Sequence, residues 1–408
     1  DPELDTIERY FGIRDDDAEA LLGDLESVDV VGGDWLFRQG EAADALYFLV
    51  RGRLQVWVEP EVRGSESAPR LLGEITPGES VGEIGLLTGG VRTAGIRAIR
   101  DSQLLRLDRQ AFEHFAVRHP NLVMQLAGGV ARRLTERTRP GSSASRNLST
   151  VALVPLGESP WLADFCDRLT DELRKRVSTL CLSSADLGKD GAPVDALSPE
   201  DSIPGSLHRW LDARENDHRL LIYVADEGDT PWSRLCIRQA DMILLLGDAG
   251  ADPTPSQWET RLLDSDGATT ARRALILHHA DRDSPIADTI QWLEGRDIEF
   301  HLHLRGDSDA ETSRIVRMLM GDSVGLVLGG GAARGFAEVG AYRAMHEAGV
   351  PIDWVGGTSI GGIIGAAIAL DQGPDYVTEN SRKAFVEGKP FGDYTLPVLS
   401  LIRGRRME

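Results

Sequence analysis

Between positions 33 and 107, short β-rich runs alternate with glycine turns, at 35–37, 45–50, 52–58, 71–75 and 102–107. Several short strands at even spacing predict an antiparallel roll or barrel, and the segments 17–25 and 109–137 read as helices on either side of it. Past the small, polar, turn-forming stretch 140–145 the pattern changes. Apolar runs of strand length at 151–155, 179–183, 219–225, 240–247, 273–278 and 299–304 are separated by helical stretches at 161–177, 206–214 and 285–293. Strands that are apolar throughout, alternating with helices, predict a mainly parallel, doubly wound sheet covered on both faces. Two further apolar runs, 324–328 and 350–355, each lead into a glycine loop and then a helix.

The fold class expected is therefore multidomain α+β and α/β. Residues 1–139 form a β-roll with flanking helices, 140–149 a linker, 150–320 a Rossmann-like doubly wound α/β domain and 321–408 the first part of a further α/β domain. A chain of 408 residues exceeds what one hydrophobic core usually organises. Apolar residues make up 41% and charged residues 27%, as in ordinary globular proteins. The longest apolar stretch, 360–370, is too short and glycine-rich to cross a bilayer. Cys166, Cys181 and Cys236 are odd in number and lack metal-ligand spacing, which points to reduced, buried thiols in a cytoplasmic setting. A net charge of −21 argues against nucleic acid as the main partner. It also disfavours purely electrostatic adsorption on anionic lipid, although the basic run 403–406 offers a local contact.

The chemistry concentrates in the last part of the chain. Gly357-Thr358-Ser359-Ile360-Gly361 fits a nucleophile elbow, in which the serine occupies a strained strand-to-helix turn and the positions two before and two after must lack side chains. Upstream, Gly329-Gly330-Gly331-Ala332-Ala333-Arg334-Gly335 supplies backbone N–H groups at a helix start, the donors that an oxyanion needs. Arg334 adds a positive charge able to orient the loop or meet a substrate phosphate. Either motif alone is weak, since three glycines also make an ordinary βα turn. A dinucleotide fingerprint would need GxGxxG with an acidic residue about twenty positions on; here an elbow stands there instead.

Together these motifs resemble the patatin-like phospholipases. The resemblance implies Ser359 as nucleophile, Gly329, Gly330, Gly331 and Arg334 at the oxyanion hole, and an aspartate from an Asp-Gly turn downstream as the base of a Ser-Asp dyad. No Asp-Gly follows Ser359. Asp190-Gly191 and Asp266-Gly267 precede it, and Asp371, Asp375 and Asp393 read as loop carboxylates. The chain begins at Asp1 rather than methionine, so it is expected to be trimmed and, as it stands, inactive, because a serine hydroxyl without a base is a poor nucleophile.

In the roll, Gly82-Glu83-Ile84-Gly85-Leu86-Leu87 followed by Arg92-Thr93-Ala94 resembles the phosphate cassette of cyclic-nucleotide-binding domains, and Gly33, Gly40 and Gly52 match their glycine pattern. An arginine neutralises a cyclic phosphate, a carboxylate accepts a ribose hydroxyl, and short-helix amides complete the cradle. Gly82, Glu83, Arg92 and Thr93 are the binding candidates, and cyclic AMP or cyclic GMP the regulatory ligand. Thr93 tilts towards cyclic GMP, against the alternative that a β-branched residue simply suits the next strand. Val91 and Gly85 depart from the pattern, where proline and alanine are usual.

The central domain lacks a phosphate-loop lysine after its first strand and is similar to the degenerate nucleotide-binding-type domain of neuropathy target esterase-like proteins. Trp232, Arg238 and Asp241 echo that family and read as core packing with a surface salt bridge. His278-His279 and His301-x-His303 lack a third ligand, so no metal is expected. By resemblance the chain is a serine lipid-ester hydrolase acting on phospholipid or lysophospholipid at a membrane surface, peripherally bound on the cytoplasmic side, with no cofactor required. The alternative is a cyclic-nucleotide-responsive regulatory protein whose hydrolase module is inactive. A nucleotide-gated transcription factor would need a helix-turn-helix and a basic face where an acidic α/β domain stands.

Overall fold

The computed structural model describes residues 25–59, 70–118, 148–189, 205–263, 269, 271–282, 286–306, 308–331 and 334–388, with Gly23 and Gly128. The chain divides into two compact units, Asp1–Thr312 and Ser313–Glu408.

The first unit opens with an antiparallel roll. Its strands are β1 (Glu26–Val30), β2 (Trp35–Phe37), β3 (Ala45–Val58), β4 (Arg70–Ile75), β5 (Ser80–Val81) and β6 (Gly95–Asp108), with α1 (Glu83–Thr88) between β5 and β6 and α2 (Arg109–Arg118) after them. The order is β1-β6-β3-β4, with β2 on β6 and β5 on β3. The two strands expected at 45–50 and 52–58 are one. Gly52, at φ +95°, absorbs a bulge in the ladder to β6, and a Cβ there would stand 2.5 Å from the Ser102 Cα, so the break in pattern is a kink rather than a turn. The strand β1 had no expectation attached, because its sequence is largely polar and two of its five residues are buried only in part or fully. The helix expected at 109–137 is seen over Arg109–Arg118; apart from Gly128 the rest of it, the 17–22 segment and the 140–147 linker lie outside the described residues.

The same unit carries the six-stranded parallel sheet, ordered β12-β11-β10-β7-β9-β8. Its strands are β7 (Thr150–Pro155), β8 (Thr179–Ser183), β9 (Leu220–Val224), β10 (Met242–Asp248), β11 (Arg272–His279) and β12 (Phe300–Arg305). Between them run α3 (Leu162–Arg174), α4 (Gly205–Asp217), α5 (Pro231–Gln239), α6 (Gln257–Leu263) and α7 (Thr289–Leu293). The inner strands β7 and β10 are buried almost end to end, which is why their sequences are continuous apolar runs. Local chemistry starts α5: the Thr230 hydroxyl accepts the Ser233 amide at 3.0 Å, and Pro231 occupies the first turn where no N–H is needed. Trp232 on that helix is fully buried and donates from its indole to the Val224 carbonyl.

The helix α8 (Asp309–Met320) leads to β13 (Gly325–Leu328), α9 (Gly335–Glu347), β14 (Trp354–Gly357), α10 (Ile360–Ala369) and α11 (Gly373–Ser381). Within the second unit β13 and β14 pair in parallel, Leu328 opposite Gly357. The second strand begins at Trp354, later than the apolar run 350–355 predicts. Pro351 has no amide to give a ladder, and Asp353 is diverted: its carboxylate takes the Arg317 guanidinium at 2.6 and 2.9 Å and the Val324 amide at 2.9 Å. Burial works against that charge, yet Arg317, the amide and Arg314 hold the carboxyl below its ordinary range.

Candidate functional sites

In the second unit, β14 ends at Gly357 and α10 starts at Ile360, leaving Ser359 in the turn at φ 55°, ψ −124°. That conformation is costly for a residue with a Cβ. The turn is closed by the Thr358 amide to the Leu328 carbonyl (3.2 Å) and by the Gly361 amide to the Thr358 carbonyl (3.0 Å). Both flanking glycines are dictated by crowding. A Cβ on Gly357 would lie 2.4 Å from the Gly361 carbonyl carbon, and one on Gly361 would lie 2.4 Å from the Gly329 carbonyl oxygen. The strand-to-helix bend is thus wedged against the end of β13 by main chain alone.

The glycine loop after β13 comes to the serine. A Cβ on Gly330 would sit 3.5 Å from the Ser359 Cβ, so these two positions are neighbours. Gly335, on the first turn of α9, meets Ile360 on the first turn of α10, where a Cβ would be 2.6 Å from the isoleucine side chain. Arg334 precedes α9, its amide bonded to the Gly331 carbonyl at 3.0 Å, with its side chain exposed. Ala332 and Ala333 lie outside the described residues. Among the described residues no carboxylate is hydrogen-bonded to the Ser359 hydroxyl. Of the carboxylates after the serine, Asp375 pairs with Arg343 at 2.7 Å and Asp371 sits past the end of α10; Asp393 is outside the described residues. Sequence reasoning overlooked Glu338, whose Oε1 stands 3.5 Å from where a Gly329 Cβ would be and whose Oε2 is buried without a hydrogen-bond partner. Its position one helical turn after Arg334 was the available signal.

The roll encloses a cavity of about 260 Å³, walled by β3, β4 and β6 residues such as Val56, Val58, Leu72, Ile75 and Ile96, and floored by Gly82, Glu83, Arg92 and Thr93. All four sequence candidates line it. Arg92 is 2% exposed. It donates to the Ala45 carbonyl at 2.7 Å and to the Asp44 carboxylate at 3.0 Å, and its guanidinium lies 4.1 Å over the Phe37 ring. Its Nε is buried without an acceptor, and burial lowers its proton affinity. Gly82, at φ +85°, leaves no room for a side chain, since a Cβ would be 2.3 Å from the Arg92 Nη1. Glu83, the first residue of α1, is also buried. Asp44 is the partner that sequence reading missed; it lies far from Arg92 along the chain.

In the parallel sheet the expected surface salt bridge is corrected. Asp241 is buried, and its Oδ1 lies 3.2 Å from the Arg53 Nε and 3.6 Å from the Arg100 Nε, two arginines of the roll. Arg238 pairs at 3.6 Å with Asp101, also of the roll. The reason is register: position 241 falls just before β10, where the sheet end meets the roll instead of solvent. His278 stacks on Trp161 at 4.4 Å, and the His279 Nε2 lies 2.8 Å from the His303 Nδ1. Burial first, then the neighbouring histidines and Arg305, push His303 down to about 4.

Three family models match in order along the chain: the cyclic nucleotide-binding domain over residues 28–119, the neuropathy target esterase family P-loop-like domain over 147–322 and patatin-like phospholipase over 326–391. Patatin-like phospholipase domain-containing protein 7 of Mus musculus is 31% identical over 93% of this chain and 31% of its own length. Patatin-like phospholipase domain-containing protein 6 of Homo sapiens is 32% identical over 92% of this chain and 30% of its own. Lysophospholipase nte1 of Aspergillus fumigatus is 32% identical over 85% of this chain and 27% of its own. The chain spans about a third of the length of these curated relatives or less. With its β-roll, its parallel α/β layer and its patatin-type segment in that order, the chain is a neuropathy target esterase-like member of the patatin-like phospholipases with an N-terminal cyclic-nucleotide-binding-type domain.

Proposed function

We propose that this chain carries the sensor and the nucleophile of a serine lipid-ester hydrolase acting on phospholipid or lysophospholipid. The observation that carries the reading is the strained Ser359 turn seated against Gly330 of the glycine loop. In the reaction the Ser359 hydroxyl oxygen attacks the acyl carbonyl and its proton passes to a base, which the family resemblance makes an aspartate. Amides of Gly330 and Gly331 stabilise the oxyanion of the tetrahedral intermediate, without having to reorganise as charge develops. Collapse expels the alcohol portion of the lipid, which takes up the proton, and water then releases the fatty acid and frees Ser359. Arg334, exposed beside the loop, is suited to the lipid phosphate. Among the described residues no helix is long and apolar enough to cross a membrane; the proposed encounter with lipid is peripheral.

The roll is proposed to bind cyclic AMP or cyclic GMP, with Arg92 on the phosphate, Glu83 on the ribose and Thr93 near the base. The intact pair of charged residues in one cavity supports this.

The test of the hydrolase is turnover of a lysophospholipid by the complete natural protein and its Ser359→Ala variant. Loss of the nucleophile is expected to lower kcat by about 10⁴ or more. Undiminished turnover in the variant would overturn the mechanism.

A further inference from the structure

Where the roll meets the parallel sheet inside the first unit, the contact is built on buried charge. Asp241 takes the Ser149 amide at 2.8 Å, the Ser149 hydroxyl at 2.9 Å and the Thr150 amide at 3.1 Å on its Oδ2, while its Oδ1 faces Arg53 and Arg100. Arg53 reaches further, to Glu74 at 3.3 Å and to the Ser149 hydroxyl at 3.2 Å. Arg100 donates from its Nη1 to both carboxylate oxygens of Glu215 on α4, at 2.9 and 3.0 Å. The side chains of Arg53, Arg100 and Asp241 are each 5% exposed or less. Buried ion pairs add little net stability over apolar packing, but separating the partners is costly because it leaves a buried charge uncompensated. Such a seam holds two layers in register rather than merely together.

The three strands that carry the seam also wall the cavity. Along β3 the side chains alternate, so Arg53 faces the sheet while Val56 and Val58 face the cavity. On β4, Glu74 holds Arg53 while its neighbour Ile75 lines the cavity. On β6, Arg100 is in the seam and Ile96 in the cavity. The contacts thus run without a break from the cavity walls to Asp241, and from it to the Ser149 and Thr150 amides at the entry to β7.

Resting on the cyclic-nucleotide reading, we propose that Asp241 is a positioning residue for the nucleotide cavity, and that the Arg53–Asp241–Arg100 seam conveys occupancy of the roll into the α/β layer. Coupling of this kind is reciprocal: what the ligand does to the seam, the seam does to affinity.

Two measurements on the full chain test it. Titration with cyclic AMP and cyclic GMP is expected to show affinity falling by about fivefold or more in Asp241→Asn, a typical coupling, although residue 241 touches no part of the cavity. Hydrogen exchange on the wild-type chain is expected to slow at the Ser149 and Thr150 amides when the nucleotide that binds is added. This second readout needs no variant, so it decides the matter if Asp241→Asn does not fold; because binding alone slows exchange throughout the folded unit, the slowing expected at these two amides is greater than that of the other amides of the parallel sheet. Nucleotide binding with exchange at those amides slowed no more than at the others, or with equal affinity in a folded Asp241→Asn, overturns the coupling and leaves the sensor reading intact. No binding of either nucleotide to the wild type overturns both.

Discussion

The molecule contains two glycine-built loops that we propose as anion cradles, and they differ in what would neutralise the charge. In the roll the cradle is centred on a side chain: Arg92 is 2% exposed, braced by the Ala45 carbonyl and Asp44 and stacked on Phe37. In the second unit the loop Gly329 to Gly331 offers main-chain amides, while the nearby Arg334 is exposed. A cyclic phosphate carries its charge permanently, so a fixed counter-charge is worth its burial. An oxyanion exists only for the lifetime of an intermediate, and fixed dipoles stabilise it without trapping the ground state. Glycine serves both cradles for the same steric reason, to let polar groups approach.

That contrast can be broken from either side. After loss of the nucleophile itself, the largest effect is expected from Gly361→Ala. The new methyl would lie 2.4 Å from the Gly329 carbonyl oxygen and push the glycine loop off the serine. In the complete protein, loss of aligned oxyanion donors is expected to lower kcat by about 10² to 10³ with little change in KM; lysophospholipid kinetics would show it, and unchanged kcat would mean that the loop holds no oxyanion. On the other cradle, Arg92→Ala removes a charge-assisted contact and is expected to weaken cyclic nucleotide binding about 10- to 150-fold, read by calorimetric titration. Equal binding by wild type and variant would deny the arginine its role.

The smallest effect concerns neither cradle, and it sharpens the contrast between a charge that is kept and one that is refused. His303 has its ordinary value of 6.5 lowered to about 4, mainly by burial. Between those values the unfolded chain takes up a proton that the folded one declines. Its contribution to stability is therefore whole above pH 6.5 and is lost as the pH falls towards about 4. Thermal melting across that range is expected to fall less steeply for His303→Leu than for wild type; parallel curves would show that the imidazole does not titrate differently in the two states.

Much of the architecture was legible because it rests on short-range rules. The strand β8 lies where its apolar run predicts, and the other parallel strands begin or end within two residues of theirs; strands buried on both faces leave continuous apolar runs. The bend at Ser359 was legible only in part: Gly357 is crowded by Gly361 and Gly362 just along the chain, whereas Gly361 is crowded by Leu328 and Gly329 at the end of β13. Legibility failed where a long-range partner decided the outcome. The start of β14 depended on Arg317 and Val324 capturing Asp353. The continuity of β3 through Gly52 depended on the ladder with β6. Asp241 read as an exposed carboxylate until the roll brought two arginines to it.

By itself the sequence determined which segments become strands and helices and which residue types stand at each position. Those are properties of neighbours along the chain, governed by periodicity and sterics. Only the tertiary structure decided that Gly330 abuts Ser359, that Arg92 is braced by Asp44, and that Arg100 bonds Glu215 from 115 positions away. Electrostatic partnerships form where folding brings charges together out of water, and no local pattern encodes that meeting.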